Sequence, residues 1–461
     1  MKKVFLIAAS LALALCTALP IFAKGQSEQS QGASVSGAET LPIDPATGYP
    51  KYDKPVTLTW WSWNITAKPE VAIFEKYYPN ITVDTPNVGA GTTVYNKLST
   101  SIQANAGLPD LVMLEYSVVS QFSGTGALAD ISPYVNQFKP DFPKWVWNQV
   151  SDGSKVFGMP GDQGPMGLWY RKPLFDENNL AVPTTWDQFK QEALQFHQAH
   201  PDKYFTYFAS NDGQWITALL WQAGISPFKK TSDGWKINLN SPQIAKVLQF
   251  WVDLVKSGAV QDVQTGTPAW EKNMHDGLYA AGIGASWYIN QVLVPWVKDN
   301  LESQGWRAAF IPAWTQGDTT DGNYGGSAHC VLKATKDLAA AEIFDAFINT
   351  SKYELALYGS VAPSGGNGPF PASSVAFGLP TFATPNPMLG GQSAFKDIFA
   401  VEAPRIYPDF QWSPWSSYIF NSMQVEIEKV LNGTESLKVA LDNVQQQTVS
   451  YAQSQGVKVT Q

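Results

Sequence analysis

The sequence predicts an α/β chain folded into at least two lobes. Two observations carry that prediction. Between residues 56 and 115 the pattern reads strand, helix, strand, helix, strand, an order that calls for right-handed crossovers and a mostly parallel sheet. The chain has 461 residues, and the roughly 400 expected to be ordered exceed what one hydrophobic core supports.

The first strand is "VTLTWWSW" (56–63), β-branched early and alternating. Alternation turns Trp60 to the opposite face from Trp61 and Trp63. Trp60 and Trp61 read as core, whereas Trp63, beside the turn, reads either as core or as a ligand contact. Pro69 to Tyr78 is a short helix with proline in its first turn, ended by Pro79, and "NITVDTP" follows as the second strand. Tyr95, Leu98, Ile102 and Ala106 keep helical spacing until Gly107, and "PDLVMLE" (109–115) is a continuous apolar run and the third strand. Further on, Thr185 and Gln188 form a capping box ahead of Trp186, Phe189 and Phe196. Ser241 caps a helix opened by Pro242, with Ile244, Val247, Leu248, Trp251 and Val255 as its stripe. "GIGASWYI" (282–289) and "WRAAFIP" (306–312) are strand-like or crossing segments. "KDLAAAEIFDAFI" is a helix, and two more are expected at about 415–431 and 436–453.

Residues 1–23 carry Lys2 and Lys3, an apolar run and Ala23 at a cleavage position, the pattern of an export leader too short to span a membrane. The Gly/Ser/Gln-rich stretch after it predicts a flexible tether over 24–53, with order starting near Lys54. Cys16 lies within the leader, either as an acylation site or as a small hydrophobe, and Cys330 is the only other cysteine. A disulfide framework and a cysteine zinc site are thereby excluded. Loss of Lys2 and Lys3 leaves 29 basic against 39 acidic residues, which disfavours nucleic acid or an anionic membrane as partner. The four histidines (197, 200, 275, 329) are dispersed, no HExxH or phosphate loop occurs, and "GDTTDGN" (317–323) lacks calcium-loop spacing. No metal or cofactor is expected. Arg171, Arg307 and Arg405 are the only arginines, a poor supply for clamping an anionic solute. Aromatic residues make up 13% of the chain, with 18 tryptophans, so it either has large cores or exposes rings for a purpose.

"FEKYYPNITV", "YNKLSTSIQANAGLPDLVML", "GALADISPYV" and "VFGMPGDQGPMGLWYRKPLFDENNLAVPTTWDQF" resemble, in order and spacing, the family 1 extracellular solute-binding proteins of ABC importers, which include the maltodextrin binders. The resemblance runs from about Val56 to Gly456 and is most specific between Phe74 and Val135. It implies the two-lobe periplasmic-binding-protein fold, each lobe a mainly parallel sheet flanked by helices. Three hinge crossings are expected near Pro160–Met166, Ala308–Ala313 and Val361–Pro371, all Gly/Pro-bearing stretches. Lobe one would comprise 54–161 and 312–362, and lobe two 162–311 and 363–461. The implied function is non-catalytic capture of a sugar by an exported monomer that serves a membrane permease.

Ligands of open parallel sheets sit beyond the carboxyl ends of the strands, and a sugar needs amides or carboxylates for its hydroxyls and a flat ring for its C–H face. Trp63, Asn64, Glu115 and Tyr116 occupy such ends in lobe one. Asp162 and Gln163 fall in the first crossing, and Asn211, Gln214 and Trp215, with Asp212 among them, open a helix in lobe two. The resemblance implies a stacking role for Trp287, a close backbone approach at Gly325 and Gly326, and a cleft aromatic at Trp412 or Trp415. Two rival readings stay open: a secreted carbohydrate-active enzyme using Glu115 and Asp162 as its carboxylate pair, and a binder of a non-sugar solute.

Overall fold

The computed structural model describes residues 37–297, 304–360 and 368–460. Ten strands position the site: β1 Val56–Trp61, β2 Ile81–Asp84, β3 Leu111–Glu115, β4 Gly158–Asp162, β5 Met166–Arg171, β6 Thr206–Phe208, β7 Val260–Asp262, β8 Ala281–Ala285, β9 Trp306–Phe310 and β10 Ser327–Val331. Helices Ala67–Tyr77 and Thr92–Ala104 separate the first three. The second of these ends sooner than its apolar spacing suggests, because Asn105 already adopts the left-handed conformation (φ +47°). Thr185 accepts the Gln188 N–H, as a capping box requires, but the Gln188 side chain returns to the Thr184 N–H instead of that of Thr185.

The first sheet has the order β2-β1-β3-β10-β4. β1 pairs in parallel with β2 and β3, and β10 runs antiparallel to β3 and β4. In the second lobe β5 runs antiparallel to its neighbours β8 and β9. The parallel pair β6-β7 joins the β8 edge through Ala281 N–H to the Phe205 carbonyl at 2.7 Å. Among these ten strands, each lobe thus holds one against the direction of the rest. Both reversed strands, β5 and β10, are the ones by which the chain enters a lobe from the cleft side, so they point away from it.

Two aromatic cores answer the question posed by the tryptophan count. Trp60 is fully buried in the first, edge-on to His329 and Phe344 at 5.0 and 5.2 Å, while Trp61 packs on the other face under the Lys97 ammonium. The second core gathers Trp169, Trp186, Trp251 and Trp306, all fully buried.

The expected tether is too long. Ala38 and Tyr49 are buried against lobe one: Ala38 N–H donates to Glu342 Oε2 at 2.7 Å, Tyr49 lies 5.1 Å from Phe347, and the Tyr78 hydroxyl holds the Pro50 carbonyl. Leader and Cys16 fall outside the described residues. The first crossing occupies 163–165, within its expected span; β9 continues to Phe310, so the second begins at Ile311, later than expected. Residues 361–367 of the third lie outside the described residues. Assigning all of 363–461 to lobe two also needs amendment, because Ile406, Phe410 and Trp412 pack in the first core.

Trp60 therefore supports lobe one and not the ligand: Trp60→Ala is expected to lower unfolding free energy by about 3–5 kcal/mol in urea titration, and a loss below about 1 kcal/mol would contradict its placement.

Candidate functional site

Strand ends from both lobes converge on one cleft. From lobe one, β3 delivers Glu115, whose Oε2 accepts the Tyr95 hydroxyl at 2.7 Å. Tyr95 in turn lies edge-on to the half-buried Trp63 ring at 6.2 Å. From lobe two, the turn after β6 delivers Asp212, which caps helix Gly213–Gln222 by accepting the Trp215 N–H at 2.8 Å and also takes the Tyr324 hydroxyl. Gln214, two residues further, faces Glu115; its buried Nε2 completes no hydrogen bond of ordinary geometry. The turn after β8 delivers Trp287, half-buried, with its indole N–H on the Tyr324 carbonyl at 2.9 Å and its ring 4.7 Å from that of Tyr324.

Glycines in the second crossing let these groups meet. Gly325 (φ +76°) lies under the Trp287 indole, and a Cβ there would stand 3.2 Å from its nitrogen; at Gly326 (φ +81°) it would press on the Tyr116 ring and the Asp162 carbonyl.

The cleft is acidic yet poor in charge. Burial pushes the Glu115 carboxyl up from its ordinary value, opposed by its Tyr95 and Gln214 contacts and reinforced by Asp212 across the cleft. Burial likewise raises Asp212, against the hydrogen bond from Tyr324, and lifts Asp162 to about 7 despite the Ser327 N–H that it accepts at 2.8 Å. The arginines are committed elsewhere: Arg171 to the Gly277 carbonyl, Arg307 to the Trp306 carbonyl, and Arg405 to Glu402 and the Phe310 ring.

Several expected residues serve the scaffold instead of the cleft. Asn64 donates to Glu70 at 2.8 Å and organises the start of helix Ala67–Tyr77. Tyr116 is buried and donates to the Asp162 carbonyl, and Gln163 is buried between crossings, its amide on the Pro371 carbonyl at 2.9 Å. Asn211 fastens the loop at Thr265 through three hydrogen bonds. Trp215 is core, bonded to the Ile283 carbonyl. Trp412 packs against Phe410 and Trp221, and Trp415 against Trp235, so neither faces the cluster. Tyr95 and Tyr324 were missed, and Asp212, noted ahead of the helix, was given no ligand role. Asp212 had a signal, the aspartate at a helix start, and Tyr324 sits inside the very glycine segment singled out by sequence.

A separate cavity of about 1020 Å³ lies between the lobes beside Ser120, Asn148, Lys230, Trp235 and Phe410. Of the expected ligand residues it touches only Tyr116 and Trp412, and it contains none of the Glu115, Asp212, Gln214, Trp287 cluster. Among the described residues no group of three or more His, Cys, Asp or Glu is arranged to hold a metal ion, and no helix is long and apolar enough to cross a membrane.

Solved structures with this architecture include the ABC transporter associated binding protein of B. animalis subsp. lactis in complex with β-1,6-galactobiose (TM-score 0.74, 24% identity, 88% of this chain and all of that one). Another is the galacto-N-biose-/lacto-N-biose I-binding protein of Bifidobacterium longum with lacto-N-biose (TM-score 0.75, 23% identity, 89% of this chain and all of that one). At this identity they establish the two-lobe fold. Among curated proteins, the arabinooligosaccharide-binding protein of Halalkalibacterium halodurans is 23% identical over 56% of this chain and 58% of its own length. Its counterpart in Bacillus subtilis is 23% identical over 64% of this chain and 69% of its own length. Residues 60–354, more than half of the chain, match the family described as bacterial extracellular solute-binding protein, and the chain belongs to that family.

Proposed function

We propose that the chain captures a neutral sugar, an oligosaccharide, between its lobes outside the cytoplasm and delivers it as a monomer to the permease of an ABC importer. The observation that carries this reading is Gln214, whose buried amide approaches the Glu115 carboxyl of the opposite lobe without completing a hydrogen bond of ordinary geometry, in the same cleft as Trp287. A sugar hydroxyl can accept from Gln214 and donate to Glu115, while the Trp287 face takes the C–H side of a ring. The sugar-binding relatives and neighbours agree with that choice. The absence of an arginine from the cluster suits a solute without charge.

The mechanism is a population shift. A ligand that touches Glu115 from one lobe and Gln214 and Trp287 from the other makes its full set of contacts only when the lobes are closed, and it favours that state by the difference. Trp287 is held in place by its bond to the Tyr324 carbonyl, so little ring freedom remains to be lost on binding.

Titrating the chain with arabino- and galacto-oligosaccharides in a calorimeter is expected to give saturable binding of at least one, with a change in tryptophan fluorescence. Trp287→Ala should weaken that affinity about tenfold or more, roughly 1.4 kcal/mol; unchanged affinity would remove the stacking role. Tyr324→Phe deprives Asp212 of its phenol donor and is expected to cost about tenfold in affinity, read in the same titration. Hydrolysis of the bound sugar that vanishes in Glu115→Gln would replace capture by catalysis.

A further inference from the structure

A second acidic cluster stands behind the cleft rim. Helix Ala67–Tyr77 packs against helix Lys352–Tyr358, and each places one glutamate in the interface, Glu70 and Glu354, both without exposed surface. Glu70 Oε1 receives Asn64 Nδ2 at 2.8 Å and the Thr66 hydroxyl, the two side chains that shape the turn after Trp63. Its Oε2 has no partner, and Glu354 has none at either oxygen. The buried Tyr358 hydroxyl lies near Glu70 without completing a hydrogen bond of ordinary geometry. None of the ion pairs among the described residues includes either glutamate.

Three buried carboxylate oxygens without a donor are untenable for two ionised groups, since an unpaired buried charge costs several kcal/mol. Protonation removes the charge and gives each carboxyl one O–H donor. A proton on Glu70 Oε2 leaves Oε1 free to keep accepting from Asn64 and Thr66.

We propose that Glu70 and Glu354 form a proton-holding pair that couples the cleft rim to the pH of the medium: with the pair protonated the rim is held and capture is strong, and forced ionisation loosens both. The ligand half of this inference rests on the capture reading above.

The surrounding charges are consistent with it. Glu70, Lys76 and Tyr77 come from the first helix, Glu354 and Tyr358 from the second, Asp162 from β4 and Tyr49 from the N-terminal segment. Burial lifts Glu70 to about 7, opposed by Thr66 and aided by Asp162. Burial lifts Glu354 to about 10, aided by Glu70 and opposed by Lys76. Both folded values exceed those of the unfolded chain, so the folded state binds more protons. The associated stability is whole below the unfolded carboxyl range and is lost as pH rises through about 7 for Glu70 and towards about 10 for Glu354.

The test compares the thermal midpoint of the full chain with that of Glu354→Gln between about pH 6 and pH 9, where other buried acids contribute equally to both. The wild-type midpoint should fall with rising pH, and the slope in the variant should be shallower by about one proton's share. Carboxyl-carbon NMR of the wild-type chain gives a readout that does not require the variant to fold. Equal slopes, or both carboxyls titrating in the ordinary range near about 4.3, overturn the pair. Calorimetry with an arabino-oligosaccharide across the same range then separates the halves: affinity that falls with pH in wild type and less in Glu354→Gln supports the coupling, and pH-independent affinity overturns it. Failure of every sugar to bind, with the slopes as expected, overturns the capture reading and with it the coupling, while the pair stands.

Discussion

The waist between the lobes is held by the hydrogen bonding of the chain crossings to one another. Where the backbone leaves a sheet its N–H and C=O groups lose their ladder partners and must find others. Here they find each other. Gln163 N–H donates to the Phe370 carbonyl at 2.9 Å, Tyr324 N–H to the Gly164 carbonyl at 2.9 Å, and Gly164 N–H to Asn323 Oδ1 at 2.7 Å. Gly164 has no room for a side chain, because a Cβ would stand 2.0 Å from the Tyr324 carbonyl oxygen. This braid is the cleft floor: it carries Tyr324, and through Tyr324 it fixes both Asp212 and Trp287.

A second regularity concerns how acids are kept in a cleft without cations. Glu115 is held by a phenol, Tyr95, and Asp212 by another, Tyr324. A phenol supplies a donor without supplying charge, so each carboxyl stays oriented while no positive site is created that would hold an anion. The same economy appears behind the rim, where Asn64 and Thr66 serve Glu70.

The order of elements in lobe one was legible because period and punctuation agree there: the alternation of β1, the proline boundaries of the first helix and the apolar run of β3 all point to the observed strands. Strand direction was less so, since β5 and β10 are reversed by where the chain enters, which no local pattern encodes. The cleft was legible by position and not by residue type. Glu115 and Trp287 follow strand ends and reach the cluster; Trp215, one residue past Gln214, is turned about 100° around its helix and faces the core. Trp412 shows a different limit, because a segment that crosses between lobes can lend its side chains to either, and chain order alone does not say which.

The N-terminal segment has a mechanical consequence. Its fastenings, Ala38 to Glu342, Tyr49 to Thr350 and Phe347, Pro50 to Tyr78 and Tyr52 to Asp337, all lie on lobe one. A chain gripped at that end is a clamp with one fixed jaw. Lobe two performs the whole of any swing relative to the grip, and a label on its outer helices would register the stroke at full amplitude while one near Ala38 stayed still.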